Sequence, residues 1–257
     1  MKRSLFLTAL LTLTVASPAI PGTIVFAVST GSAMPMTGFR KDLLVEGLLK
    51  DFGDALAQEL ALVPRYVALP RKRVEAALHA GKADLLCDLR PEWLESKEWL
   101  WTGTVFSNNM IIVSRSDTPP LAQLSDLDGE RVGTLYGYHY PEMDSRIGSH
   151  YQRDDAATDD ANTNKLLNGR FRYMVSNTLY YDYQQKVHPA GKRLNTKVFT
   201  IRPFDTYCAV PREGRIDLDK INRGIMALRA RGEMQRIYDR YRPPRPTRQA
   251  AVLQERR

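Results

Sequence analysis

Residues 65–87 read RYVALPRKRVEAALHAGKADLLC. RYVAL is a β-rich run at 65–69, and 72–80 reads as a helix. Gly81 follows it, a residue suited to the left-handed conformation that ends helices. A third apolar run at 83–87 reads as the next strand. Upstream, residues 23–29 are TIVFAVS, a strand between turn residues. Residues 30–38, rich in Gly, Ser, Pro and Met, read as a loop. Leu44, Leu48, Phe52, Leu56 and Leu60 recur every four residues, so 43–60 reads as a helix. The order is β-α-β-α-β, which points to a parallel sheet with crossover helices.

The pattern then repeats. MIIVS at 110–114 is a strand, 121–127 a connector, and 130–135 a strand that enters the glycine-bracketed loop 133–137. Residues 155–168 are polar, with a helix toward their end closed by Gly169. Then come a strand at 171–175, a helix at 179–186 and strands at 197–201 and 207–210. An amphipathic helical stretch at 218–241 is broken or bent near Gly232. Pro243, Pro244 and Pro246 end regular structure, and 243–257 reads as a disordered basic tail. The simplest architecture is α/β: two lobes, each a sheet flanked by helices, joined by two crossing strands. Open sheets of this kind bind ligands outside the carboxyl ends of their strands, and two facing lobes bring those ends around one cleft.

The amino terminus adds a location. Lys2 and Arg3 precede an apolar run at 5–15, too short for a membrane span of roughly twenty residues. Small residues follow at Ala16, Ser17 and Ala19. That order is a signal peptide over 1–19, so the mature chain is expected outside the cytoplasm. The net charge of +8 invites a nucleic-acid reading. Much of the excess lies in the leader and in arginines of the tail, so a solvated basic tail is expected and no nucleic acid. Cys87 and Cys208 make an even pair for an oxidising compartment, open to a disulfide or to two buried thiols.

Four segments in this order resemble the family 3 extracellular solute-binding proteins, which serve polar amino-acid importers and related sensors. They are TIVFAVS with EGLLKDFGDALAQEL, LPRKRVEAALHAGKADLL, LSDLDGERVGTLYGY, and YCAVPREGRIDLDKINRGIMALRARGEMQRIYDRY. The resemblance implies the class II periplasmic-binding-protein fold, with two mixed sheets and a two-strand hinge. One lobe would comprise 23–106 plus 208–242, the other 112–202, with hinge strands near 107–110 and 205–207. It places the Cys208 strand beside the Cys87 strand, so a disulfide near the hinge becomes conceivable. It implies a periplasmic monomer that closes on a small solute for an ABC importer permease. A sensory or protein-interaction module using the same cleft, with a membrane sensor as partner, is the alternative.

The ligand anchors depart from the family. Its Thr-x-x-Arg segment aligns with CDLRPEWLESKEWLWTG, where the arginine position falls near Glu95 and Arg90 lies earlier. Asn177 stands where the second lobe would offer an Asp for the ligand ammonium. Ala33, Met34, Pro35 and Met36 replace the first loop's stacking aromatics. The candidate ligand residues follow the carboxyl ends of the strands: Ser29, Thr30, Arg71, Asp88, Arg90, Tyr138, Ser176 and Asn177. Asp88 and Arg90 could instead pair with each other. Arginines and tyrosines together suggest a polar or anionic solute with a flat or apolar part.

Catalysis is not expected. There is no H-E-x-x-H or Cys-Cys-His metal cluster, no Gly-x-Ser-x-Gly elbow and no phosphate loop. No cofactor or metal is expected. Dehydratase relatives of this fold are the remaining enzymatic possibility.

Overall fold

The structure is a computed structural model. It describes residues 22–187 and 189–242, so the leader at 1–19 and the tail at 243–257 lie outside the described residues. The first lobe begins with β1 (Thr23–Ser29), a hairpin of β2 (Gly38–Arg40) and β3 (Leu43–Glu46), and α1 (Leu48–Glu59). It continues through β4 (Val63–Leu69), α2 (Arg71–His79), β5 (Leu85–Leu89) and β6 (Leu100–Trp101). The long strand β7 (Phe106–Ser114) crosses to the second lobe, made of β8 (Arg131–Leu135), α3 (Pro141–Ile147), β9 (Gln152–Ala156), α4 (Asp159–Leu167), β10 (Tyr173–Asn177) and α5 (Thr178–Val187). A second long strand, β11 (Phe199–Val210), crosses back to α6 (Leu218–Ala230) and α7 (Glu233–Tyr241).

Hydrogen bonding runs β4-β1-β5-β11-β7-β10-β8-β9, with β6 beside β11. β1 is parallel to β4 and β5, and β8 is parallel to β9 and β10. The mixed character comes from β11, antiparallel to β5 and β7, and from β7, antiparallel to β10. The two lobe sheets are therefore one continuous ladder through the crossing strands, paired from Phe199↔Ile112 to Thr206↔Phe106.

Strand alternation gives each lobe two cores. In β1, Ile24, Phe26 and Val28 face α1 and α6, while Ala27 faces Val74 and Leu78 of α2. In β7, Met110 and Ile112 face Leu127, Val132 and Met143, while Ile111 and Val113 face Leu166 and Met174. Successive side chains of a strand point to opposite sides, so a run apolar throughout is covered on both.

Three parts differ from the sequence expectation. The helix expected over 43–60 starts only at Leu48. Leu43 is 71% exposed and Leu44 is buried, in a hairpin turned at Lys41 with φ 55°. Gly47 separates hairpin from helix at φ 113°, and a Cβ there would lie 2.6 Å from the Met36 carbonyl oxygen. The four-residue spacing crosses this break only because Leu44 buries as a strand residue. The two strands expected at 197–201 and 207–210 are one strand, β11, which starts at Phe199 and keeps its ladder through Pro203 opposite Asn109. β9 (QRDDA) is a polar edge strand, and α3 opens on Pro141 at its first turn; neither shows an apolar period. The break at Gly232 is present, with φ 71° between α6 and α7.

Candidate functional site

The ends of β1, β5, β8 and β10 and the start of α4 surround one cavity between the lobes. It offers about 110 Å³ to the centres of water-sized molecules. One water needs roughly 10–15 Å³ on that measure, so the cavity has room for a small solute.

From the first lobe, β5 carries Asp88 into the cavity. Between Leu86 and Leu89 the pairing with β11 slips, and Asp88 takes the left-handed φ of 60°. That region is sparsely populated for residues other than Gly, and Asp tolerates it better than most. Burial pushes the Asp88 carboxyl up to about 6, against the Thr206 hydroxyl and the Arg71 guanidinium, which favour the carboxylate. Arg71 opens α2 and also lines the cavity. Its Nη2 donates to the Trp93 carbonyl at 3.1 Å, and its guanidinium lies 5.5 Å from the centre of the Tyr138 ring across the cleft. Ser29 ends β1, and its hydroxyl accepts from the Gly31 amide at 3.1 Å, leaving its own proton free.

From the second lobe come Tyr138, Asp159, Ser176 and Asn177. Tyr138 makes a 3.2 Å hydroxyl contact with Ser32 of the opposite lobe. Burial, helped by Asp159, raises its phenol. Asp159 is the first residue of α4, after the Thr158 cap, where a helix favours negative charge. Even so, burial, then Asp160 and Asp88, push its carboxyl up to about 7, opposed by the Ala33 amide. The Ser176 hydroxyl is buried and without a partner among the described residues, and so is the Trp93 indole N–H. Both line the cavity. A polar group left unpaired in a protein interior costs about 1–3 kcal/mol, which a ligand making those bonds would recover.

Asn177 has a settled orientation. Its Oδ1 accepts from the Tyr180 amide at 3.0 Å, capping α5, and from Asn108 Nδ2 at 2.9 Å. Its own amide N–H groups are what remain for a ligand.

Six of the eight sequence candidates therefore meet in one place: Ser29, Arg71, Asp88, Tyr138, Ser176 and Asn177. Thr30 and Arg90 do not line it. The Thr30 amide continues the β1 ladder to Leu69. Arg90 does not pair with Asp88; it bridges Glu92 to Glu142 of α3, and Arg202 of β11 completes the cluster at 2.5 Å from Glu142. Sequence reasoning missed Asp159 and Asn108. Asp159 had one readable signal, Thr-Asp-Asp at a helix start, but its place opposite β5 is a tertiary fact. Asn108 lies on the crossing strand β7, away from the strand ends where ligand contacts are expected. Cys87 and Cys208 are joined by a disulfide that ties β5 to β11 directly beside Asp88.

A family model described as bacterial extracellular solute-binding proteins, family 3, matches residues 25–244. The chain belongs to this family. Among curated relatives, ABC transporter arginine-binding protein 1 of Escherichia coli (strain K12) is 26% identical over 166 residues, 61% of this chain. The match spans 63% of that relative's length. Among solved structures, the ancestral amino acid-binding protein AncCDT-1, a precursor of cyclohexadienyl dehydratase, superposes with a TM-score of 0.73 at 17% identity. That likeness covers 86% of this chain and 96% of the other. A substrate-binding protein of an ABC uptake transporter from Streptococcus pneumoniae, with bound histidine, gives a TM-score of 0.72 at 16% identity, covering 85% and 92%. These likenesses establish the two-lobed fold of the family. No helix among the described residues is long and apolar enough to cross a membrane.

Proposed function

We propose that this family 3 protein is the periplasmic receptor of an ABC importer, and that it closes on a small solute carrying a positively charged group. The bodies that move are residues 23–106 plus 208–242 and residues 112–202, about the paired strands β7 and β11. The observation that carries the reading is the cavity itself. Side chains from both lobes line it, and among the described residues it holds two carboxylates, Asp88 and Asp159, against one guanidinium, that of Arg71. A ligand touching both lobes favours the closed state by the difference in contacts it makes in the two states.

The charge changes the ligand expected from sequence. Arginines and tyrosines suggest a polar or anionic solute; Asp159, with Asp88, makes a cationic group the better complement. Arginine and histidine, the ligands of two of the similar proteins named above, carry basic side chains and agree with that choice. Ser29, Arg71, Asp88, Tyr138, Ser176 and Asn177 are the proposed contacts, with Asp159 as the charge anchor.

Binding, not turnover, is the proposed activity, although the dehydratase lineage of one structural neighbour makes the point worth testing. The experiment is a thermal-shift screen on refolded, ligand-stripped protein with amino acids, amines, carboxylates and sugars, followed by mass spectrometry of the bound solute. A solute at a hundredfold excess over its Kd stabilises by about 2.7 kcal/mol. The expected result is a rise with cationic solutes and recovery of the solute unchanged. A rise with dicarboxylates alone, or recovery of a converted product, would overturn the reading.

A further inference from the structure

The formal charges facing the cavity do not balance. Arg71 is offset by Asp88, its coulombic partner, and is further engaged by the Trp93 carbonyl and the Tyr138 ring. Among the described residues no cation offsets Asp159, whose charged neighbours are Asp160 and Asp88. Asp160 itself accepts from Tyr180 and Gln184. A desolvated carboxylate without a partner is relieved by a proton or by a nearby positive charge, so above the raised pKa of Asp159 the component that fits is one positive charge.

A ligand carboxylate, by contrast, finds no unshared cation: besides the engaged Arg71, only neutral donors face it, the hydroxyls of Ser29 and Ser176, the Trp93 indole N–H and the Asn177 amide. Arg90, the arginine nearest in sequence to the family's carboxylate clamp, is held by Glu92 and Glu142 outside the cavity. An α-carboxylate would enter a space that already holds two. A zwitterionic ligand would leave the net charge of the cavity unchanged. Part of the wall is apolar or aromatic: Met36, Trp93, Tyr140, Val175 and Phe204. Such walls cover a hydrophobic body.

We propose that the cleft selects a monocationic amine with an apolar or aromatic body and no carboxylate, in preference to the amino acid of the same skeleton, with Asp159 as the partner of the ammonium. The inference rests on the reading of the cleft as a solute site.

The test uses pairs that differ only by the carboxylate: tyramine and tyrosine, phenethylamine and phenylalanine, isoamylamine and leucine. Each is titrated by calorimetry into the ligand-stripped mature chain at pH 8. At least one amine is expected to bind tenfold or more tightly than its amino acid, and Asp159→Asn to remove at least tenfold of that affinity. Melting by circular dichroism establishes that the variant folds, and Asp159→Glu is expected to recover part of the loss. Amino acids binding as tightly as their amines, or more tightly, would overturn the inference and leave the solute site standing. An amine preference untouched by Asp159→Asn would overturn the assignment of the anchor. Silence from these pairs and from every cationic solute of the thermal screen would remove the solute site and the inference together.

Discussion

Asp88 and Asp159 line one cavity from opposite lobes, the first at the end of β5 and the second at the start of α4, and the charge of Asp88 helps raise the carboxyl of Asp159. Closure of the lobes therefore brings like charges into one desolvated space. A receptor built this way resists closing when empty and is relieved by a cation.

The first prediction is a pH dependence. Burial raises Asp88 to about 6 and Asp159 to about 7. The groups facing them are Arg71, Thr206, Asp160 and the Ala33 amide, and His139 also lines the cavity. Between about pH 4 and 7 the folded state keeps protons that the unfolded chain has released. The stability of the ligand-stripped protein should therefore fall as pH rises through that window. Affinity for a cation should move the opposite way, rising from pH 5 to 8. Calorimetry in buffers of different ionisation enthalpy should show proton release on binding near pH 6–7, also in a His139→Gln variant.

Asn177 offers a second test. Its oxygen caps α5 and accepts from Asn108. Asn177→Ala should lower stability by about 1 kcal/mol, the usual cost of losing a cap, and should weaken binding. Asn177→Asp keeps an accepting oxygen for both bonds and adds a charge, so melting should change little while affinity for a cation increases. Thermal melts and calorimetry on the two variants separate the cap from the contact.

The Arg90 cluster should act on closure without touching the ligand. Arg90 reaches from the first lobe to Glu142 of α3, whose side chain is 7% exposed, and Arg202 meets the same carboxylate. Arg90→Gln should raise the dissociation rate several-fold and leave the ranking of solutes as it is. Stopped-flow release measured with a panel of solutes tests this; a changed ranking would place Arg90 in the site.

The disulfide gives a fourth expectation. Cys87 and Cys208 are 121 residues apart, and a cross-link closing so long a loop contributes about 2–5 kcal/mol. The double Cys→Ser variant should lose that much in denaturant melts. Reductant should destabilise the parent protein and leave the variant unchanged.

The fold was legible where apolar periodicity is local. β1, β4 and β7 can be read as continuous β-rich runs, α2 by the spacing of its buried Val74, Ala77 and Leu78, and the α6–α7 break by Gly232. The hairpin before α1 could not, because Leu44 falls into phase with the helix that follows. Nor could β9, whose exposed and paired polar residues at a sheet edge give no apolar pattern. Site residues at strand ends were legible through the rule that ligands meet carboxyl ends of parallel strands. Arg90 satisfied that rule in sequence and failed it in space, because Glu92 beside it and Glu142 of α3 hold it outside the cavity. Asp159 escaped because a helix-start acid looks like a cap until the opposite lobe is in place.

The most direct test of the central claim is calorimetric titration of the strongest solute from the thermal screen into the parent protein and Asp159→Asn. The cleft reading predicts one site per chain, at least tenfold weaker in the variant, with the melting temperature of the empty variant equal to or above that of the parent. Equal affinity in the two proteins would place the solute elsewhere and contradict it.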